Sequence, residues 1–315
     1  MTKEVLQTII REYYQPNAPD PILPDEQILA LARRHEPHAR TVTGVDESGG
    51  EARVYFIDGA LVMKVQRPPQ LRSWTSLAKE VKFLRHLAES APEISIPRVL
   101  GHGREDGVEY TLMTRMAGDA VVRSTVANAR RADMLQALGR TLRKIHGVPQ
   151  QPLRESGLFP EEYTYADLEA AIPDEYHAYA EAMAKHELAW PWAWSVTELI
   201  EKAIRRVPPE PLGVAVHSNP GPTHTFLDPD TGLFTGLIDF GDVYIGNPAD
   251  DLARWPDPSD RQQVLKGYVE EGDPGPAFWS YWPIAEVSAD LLYIARSSQW
   301  RDTCLHHLQQ IVEGL

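Results

Sequence analysis

The chain has 315 residues, 43% hydrophobic and 24% charged, enough for a sizeable core and for two lobes. Its 31 basic against 45 acidic residues give a formal charge of -14, which argues against a nucleic-acid groove, because binding phosphates needs clustered Lys and Arg. The single cysteine, Cys304, excludes a disulfide framework and a thiolate-type structural zinc. With no signal-like opening and no 18-residue apolar span, a cytoplasmic protein without membrane or nucleic-acid partners is expected.

In chain order, apolar residues at helical spacing predict helices over 3–14 (Val5, Ile9, Ile10) and 26–35 (Ile28, Leu31, Ala32), the second capped by Asp25. From Arg40 the period changes to two. RTVTGVD, ARVYFID and ALVMKVQ, broken at SGG and DGA, predict a three-stranded antiparallel meander. TSLAKEVKFLRHLAE returns to helical period with Leu77, Val81, Leu84 and Leu87 on one face. Two further strands are expected in the stretch from Ile96 to Gly118, completing five strands with one helix inserted after the third. Residues 131–146 predict an amphipathic helix closed by Gly147. Two or three aromatic-rich helices follow over 155–201, then strands in GVAVHS, THTFLD and FTGLIDFGD, and helices from Ala249 onward. The second lobe is therefore expected to be mostly helical.

Chemistry is sought first in GLIDFGD at 236–242, where an apolar strand ends in Asp239 beside Phe, Gly and a second carboxylate. A carboxylate at such an exit suits Mg2+ on nucleotide phosphates, because magnesium takes hard oxygen ligands and keeps waters. Taken alone the triplet is more often an ordinary strand exit than a metal site. Upstream, VAVHSNPGPTHTFLDPDTG supplies a strand, a polar loop from His217 to His224 and a second strand before a turn. Read as paired hairpins, these segments bring the loop and Asp239 to one edge.

These motifs resemble the aminoglycoside phosphotransferase and choline kinase-like family, whose loop reads H-G-D-x-H-P-x-N and whose next strand ends I-D-F-G-D. The loop is closest to the aminoglycoside 2-double-prime phosphotransferase branch, H-N-D-F-x-x-x-H. The resemblance implies an α+β, bilobal protein-kinase-like fold, with a small five-stranded antiparallel lobe over 1–116 and a larger helical lobe over 117–315. It implies Mg2+ held by Asp239 and His224, ATP or GTP as co-substrate, and a small-molecule acceptor. By the same resemblance His217 orients the loop, and Asp251 in NPADDLARW is a buried structural carboxylate that steadies it. Lys64 on the third strand and Glu80 on the following helix match the family's phosphate-holding pair, though each alone is more often a solvated surface charge. Ser48, Gly49 and Gly50 would cover the phosphates, where a plain hairpin turn is the other reading. Met113, Arg115 and Met116 in YTLMTRMAG would form the hinge that receives the base.

One position departs from the family. Asn219 stands where the catalytic aspartate belongs, and a carboxamide accepts a hydrogen bond but takes up no proton near neutral pH. Three readings follow: a small-molecule kinase in which Asn219 orients the acceptor hydroxyl, a pseudokinase that binds nucleotide or ligand without efficient turnover, and a fold-only relative that binds nothing in this cleft, against which Lys64, Glu80 and Asp239 all remain. The acceptor is expected to be cationic, because residues 155–201 carry 11 acidic and 1 basic side chains among many aromatics; solvated helix faces are the alternative. Cys304 is expected to pack, not react. His306 and His307, which point different ways on a terminal helix and lack a carboxylate at i+4, are expected to be surface-exposed and not metal ligands.

Overall fold

The structure, a computed structural model, describes residues 22–49, 52–67, 77–105, 107–124, 128–188 and 190–314. The predicted helix over 3–14 and the turn residue Gly50 lie outside the described residues. The first helix, α1 (Asp25–Ala32), begins after Pro24. Asp25 sits in its first turn and does not cap it, a correction to the expected N-cap.

Alternation of side chains builds the sheet lobe. Strands β1 (Val42–Asp46), β2 (Ala52–Ile57), β3 (Leu61–Gln66), β4 (Val99–Glu105) and β5 (Val108–Thr114) form one antiparallel sheet in the order β1-β2-β3-β5-β4. Helix α2 (Leu77–Ser90) is inserted between β3 and β4, as the change of period predicts. In β3 the period of two sends Met63 and Val65 into a cluster with Ile28, Leu31, Tyr55 and Leu112. Val62 and Lys64 take the opposite face. That face is covered by α2, whose Phe83, Leu84 and Leu87 belong to the second, larger core cluster.

Beyond β5 come the short β6 (Asp119–Ala120) and a run of helices: α3 (Asn128–His146), α4 (Gln151–Arg154), α5 (Tyr165–Lys185) and α6 (Val196–Arg206). Helices α5 and α6 each begin in a capping box, Thr164 with Asp167 and Ser195 with Glu198, which satisfies orphan N–H groups at both starts. Strands β7 (Val214–Val216), β8 (Thr225–Leu227), β9 (Phe234–Leu237) and β10 (Tyr244–Gly246) follow, then α7 (Ala249–Leu252), α8 (Pro258–Glu270), α9 (Pro276–Arg296) and α10 (Arg301–Gly314). β8 pairs with β9 and β6, whereas β7 pairs with β10. The expected chain of neighbouring hairpins is thus corrected: the loop after β7 is clamped between two small sheets and is not the turn of a hairpin.

Helices α3 and α8 cross at two glycines. A Cβ on Gly139 would collide with the Val264 carbonyl, and one on Gly267 with the Gln136 carbonyl, so backbone meets backbone there. This crossing holds the base on which β7, α7 and the following loop rest. No described helix is long and apolar enough to cross a membrane.

Candidate functional site

Three side chains far apart in sequence meet at the junction of the two lobes. Lys64 Nζ lies 2.7 and 2.9 Å from the two Glu80 oxygens and 2.7 Å from Asp239 Oδ1. Glu80 occupies the same helical stripe as Leu77, Leu84 and Leu87 and is 1% exposed, a charge tolerated in an apolar row because Lys64 and the Phe240 N–H satisfy it. Burial favours the neutral form of each member. For Lys64 the two adjacent carboxylates outweigh it and hold the amine charged far above its ordinary range. For Asp239, Lys64 and His224 outweigh burial and hold the carboxyl far below its usual range. For Glu80 burial prevails and the carboxyl is pushed up.

Asp239 has a backbone φ of 69°, in the left-handed region that non-glycine residues rarely adopt. The turn aims one oxygen at Lys64 and leaves the other, Oδ2, 3.4 Å from His224 Nε2. The other ring nitrogen of His224, Nδ1, lies 2.8 Å from the Asn219 carbonyl and donates to it, which fixes the ring with Nε2 toward the carboxylate. Asp239 Oδ2 and His224 Nε2 are the two side-chain atoms here that could share a cation. Among the described residues no group of three metal-ligating side chains forms, so a cation here would complete its shell with water and phosphate oxygens, as magnesium does.

The loop carrying Asn219 is held from behind. Asp251 is fully buried and accepts from the His217 and Ser218 N–H groups, each at 2.7 Å, and from His146 Nε2 at 3.0 Å. Burial raises its pKa, but the His146 bond and its neighbours overcome this and keep the carboxyl below its ordinary value. Tyr268 lies 3.1 Å from the other nitrogen of His146. His217 packs at a tilt of 55° against Phe240 with ring centres 4.6 Å apart, donates from Nε2 to the Ile238 carbonyl at 2.9 Å and accepts the Asn219 N–H on Nδ1 at 3.3 Å. One neutral tautomer serves both bonds, and burial lowers the ring pKa accordingly. Ser218, with φ of 80°, is strained in the same way as Asp239. The Pro220 carbonyl accepts from the Trp255 indole and from Thr225 Oγ1, each at 3.1 Å. Behind Trp255, the buried Arg261 donates to the Trp255 carbonyl at 2.6 Å and to Asp290 at 2.7 Å.

Lys64, Glu80, Asp239, His224, Asn219, His217 and Asp251 thus form one connected set. Other residues singled out in the sequence lie outside it. Ser48 gives its N–H and hydroxyl to Asp46 at 2.8 and 2.6 Å, and a Cβ on Gly49 would stand 2.8 Å from the Ala52 carbonyl, so the turn requires glycine there. Met113 pairs with Val62 and shares the face of Lys64. Arg115 gives its N–H to the Ala60 carbonyl and lays its guanidinium over Phe56 at 4.8 Å, while Met116 packs on Gly236. His307 corrects its expectation: its Nδ1 lies 2.7 Å from Asp290 and its Nε2 3.8 Å from Glu286, both on α9. A search for partners along its own helix misses carboxylates supplied by another. Cys304 is buried as expected, and burial pushes its thiol up to about 12. Sequence reading missed His146, Trp255 and Arg261, whose only signal is a polar or indole group amid apolar periodicity.

The family model described as the phosphotransferase enzyme family matches residues 43–280. No curated protein matches the chain. Among solved structures, the GDP complex of wild-type aminoglycoside 2'-phosphotransferase-IIIa superposes with a TM-score of 0.60 at 15% identity, covering 93% of this chain and 99% of that one. The streptomycin-ATP-APH(2")-IIa ternary complex gives 0.56 at 15% identity, covering 92% and 97%. The apoenzyme of macrolide 2'-phosphotransferase MphH from Brachybacterium faecium gives 0.58 at 20% identity, covering 90% and 98%. At these identities the likeness is one of fold: a five-stranded lobe on a helical lobe, as in kinases.

Proposed function

The chain belongs to the phosphotransferase enzyme family, and from that premise we propose that it transfers the γ-phosphoryl group of ATP or GTP to a hydroxyl of a small amine-bearing molecule. The observation that carries this reading is the meeting of Lys64, Glu80 and Asp239 within 2.9 Å across the lobe junction. An ammonium anchored by one carboxylate and shared with a second is arranged to hand over to phosphate oxygens when nucleotide enters. The ATP and GDP of the solved relatives support the same reading.

In this proposal Lys64, steadied by Glu80, holds the phosphates, and the turn at Ser48 and Gly49 lies over them. Met113, Arg115 and Met116 flank the base. Asp239 and His224 would hold Mg2+, which when bound neutralises phosphate charge and orients the transferring group. The acceptor hydroxyl oxygen bonds to the γ-phosphorus, the bond to the bridging β–γ oxygen breaks, and the nucleoside diphosphate leaves. Asn219 orients the hydroxyl through its carboxamide oxygen but does not take its proton, which goes to solvent. His217 and Asp251 keep the loop in register, and the protein works in the cytoplasm. The acid-rich stretch 155–201 supports an amine on the acceptor through long-range attraction.

Thermal shift with MgATP and MgGTP, followed by nucleoside diphosphate release across hydroxylated amines, tests the reading. A shift with turnover is expected; absence of any shift removes it. Asn219 favours a second reading, a pseudokinase that binds nucleotide with little transfer. Asn219→Asp then raises turnover by about 100-fold to 10,000-fold, the range of general base catalysis. A variant no faster than the native chain would count against this second reading.

A further inference from the structure

Asp46, at the end of β1, stands opposite Val54 in β2, and Val54 stands opposite Lys64 in β3. Directly opposed residues share a sheet face. The Asp46 carboxylate is therefore on the face that Lys64 turns to the cleft, two strand spacings or about 10 Å away. Its two oxygens are divided: Oδ1 takes the Ser48 N–H and hydroxyl that close the turn, and Oδ2 faces Arg123 Nη2 at 3.9 Å. The Ser48 hydroxyl comes first in holding this carboxyl below its ordinary value, so Asp46 stays charged whether or not Arg123 is near.

Arg123 comes from the other lobe. It ends the 3-10 turn Val121–Arg123, which is fixed at two points. Val121 is buried in the larger core cluster, and the Val122 N–H donates at 2.9 Å to the Pro222 carbonyl, in the loop that carries Asn219. The backbone of Arg123 is thus set by that loop, whereas its side chain is 71% exposed. An ion pair so open to water is weakly held, because solvent screens both charges. The guanidinium therefore stands on a rigid base at the mouth of the cleft and leaves Asp46 readily for a better anion.

The charges of the cleft say which anion that is. Lys64 is already matched by Glu80 and Asp239, and Asp46 adds a further negative charge. Triphosphate stays net negative with one Mg2+ bound, so it calls for a cation beyond Lys64. A guanidinium offers paired N–H donors that meet two phosphate oxygens at once. Chain connectivity puts Arg123 a few residues past Met116, which flanks the base in the proposed function. The Val122 bond puts it beside the loop where transfer would occur. Between a base and a transferred group lie the sugar and the phosphate attached to it.

We propose that Arg123 is the second phosphate cation of this cleft: paired with Asp46 across the mouth, it moves to the sugar-proximal phosphate when nucleotide enters. The inference rests on the proposed nucleotide site and extends it to a residue outside the connected set around Lys64.

The test measures Kd on the full chain by calorimetry, and for adenosine by competition with a fluorescent nucleotide. The probes are MgATP, MgADP and adenosine, or their guanine counterparts if those bind tighter. Arg123→Gln removes the charge from an exposed side chain. It is expected to weaken MgATP and MgADP alike by about tenfold and to leave adenosine unchanged. Asp46→Asn keeps an oxygen for Ser48 and removes the competing charge. It is expected to tighten both nucleotides several-fold, a gain that disappears when Arg123→Gln is added. Unchanged affinity in Arg123→Gln, an equal loss for adenosine, a loss confined to MgATP, or no gain in Asp46→Asn overturns the proposal. A native chain that binds none of the three probes removes the kinase reading and this inference with it. Native binding that the Arg123 substitution leaves untouched removes this inference alone.

Discussion

Lys64 stands on a sheet face where the flanking β3 residues, Met63 and Val65, turn the other way into the core, and its ammonium is matched by carboxylates on both sides. Lys64→Ala leaves Glu80 buried without its cation, so two effects are expected together: loss of the MgATP thermal shift, and a fall in stability of about 3 kcal/mol, measured by urea denaturation. Lys64→Ala with an undiminished MgATP shift would place the phosphates elsewhere. Asp251 presents a parallel case without the cleft. Asp251→Ala orphans two backbone N–H groups and His146, and is expected to cost several kcal/mol. Of these two sites, the Lys64 and Glu80 pair was legible only through the family resemblance, because a strand lysine and a helix glutamate taken singly read as solvated surface charges. His146 was not, since nothing in RKIHG tells which carboxylate its ring will meet.

Elements transmit position to the loop at Asn219. Trp255 touches it with one indole N–H, and Arg261 and Asp290 fix Trp255 from α8 and α9. Trp255→Phe keeps the ring and removes the donor, so kcat is expected to fall several-fold while nucleotide affinity stays unchanged; equal losses in both would mean simple unfolding. At the α3–α8 crossing, Gly139→Ala or Gly267→Ala drives a methyl into a carbonyl, and the expected cost is about 1–3 kcal/mol or more, read as a lower Tm. On α9, burial pushes Glu286 up to about 7, above its unfolded value near 4.5. Its stabilising contribution is complete below the unfolded pKa and is lost as pH rises through about 7. Glu286→Gln is therefore expected to raise Tm relative to the native chain at pH 8 and to match it at pH 5. A variant that gains nothing at pH 8 would refute that assignment. The small sheets around the loop were only half legible: β7, β8 and β9 show as apolar runs, but the pairing of β7 with β10 spans 27 intervening residues, and three-residue strands carry no register signal.

Across the whole molecule, the cleft between the lobes is bridged by the contact of Lys64 with Asp239, which under the proposed function nucleotide and metal would rearrange. The ATP-induced thermal shift is therefore expected to shrink when EDTA removes Mg2+ and to return on adding it back; a shift indifferent to EDTA would remove Asp239 and His224 from metal binding. The net charge of -14 acts at this scale too: if the acceptor is cationic as proposed, its affinity is expected to fall as added salt screens the attraction.

Periodicity determined the five-stranded lobe, its inserted helix and the helical remainder, because the period of a buried face is a local property written in consecutive residues. The spacing of GLIDFGD behind the His217 loop determined which residues could share chemistry. Only the tertiary structure decided that Arg254 enters a cavity beside two acids, that Asp251 is gripped by His146, and that α9 supplies the partners of His307. Those contacts join residues from separate elements, and what sets them is the packing of helix on helix, which no single segment contains.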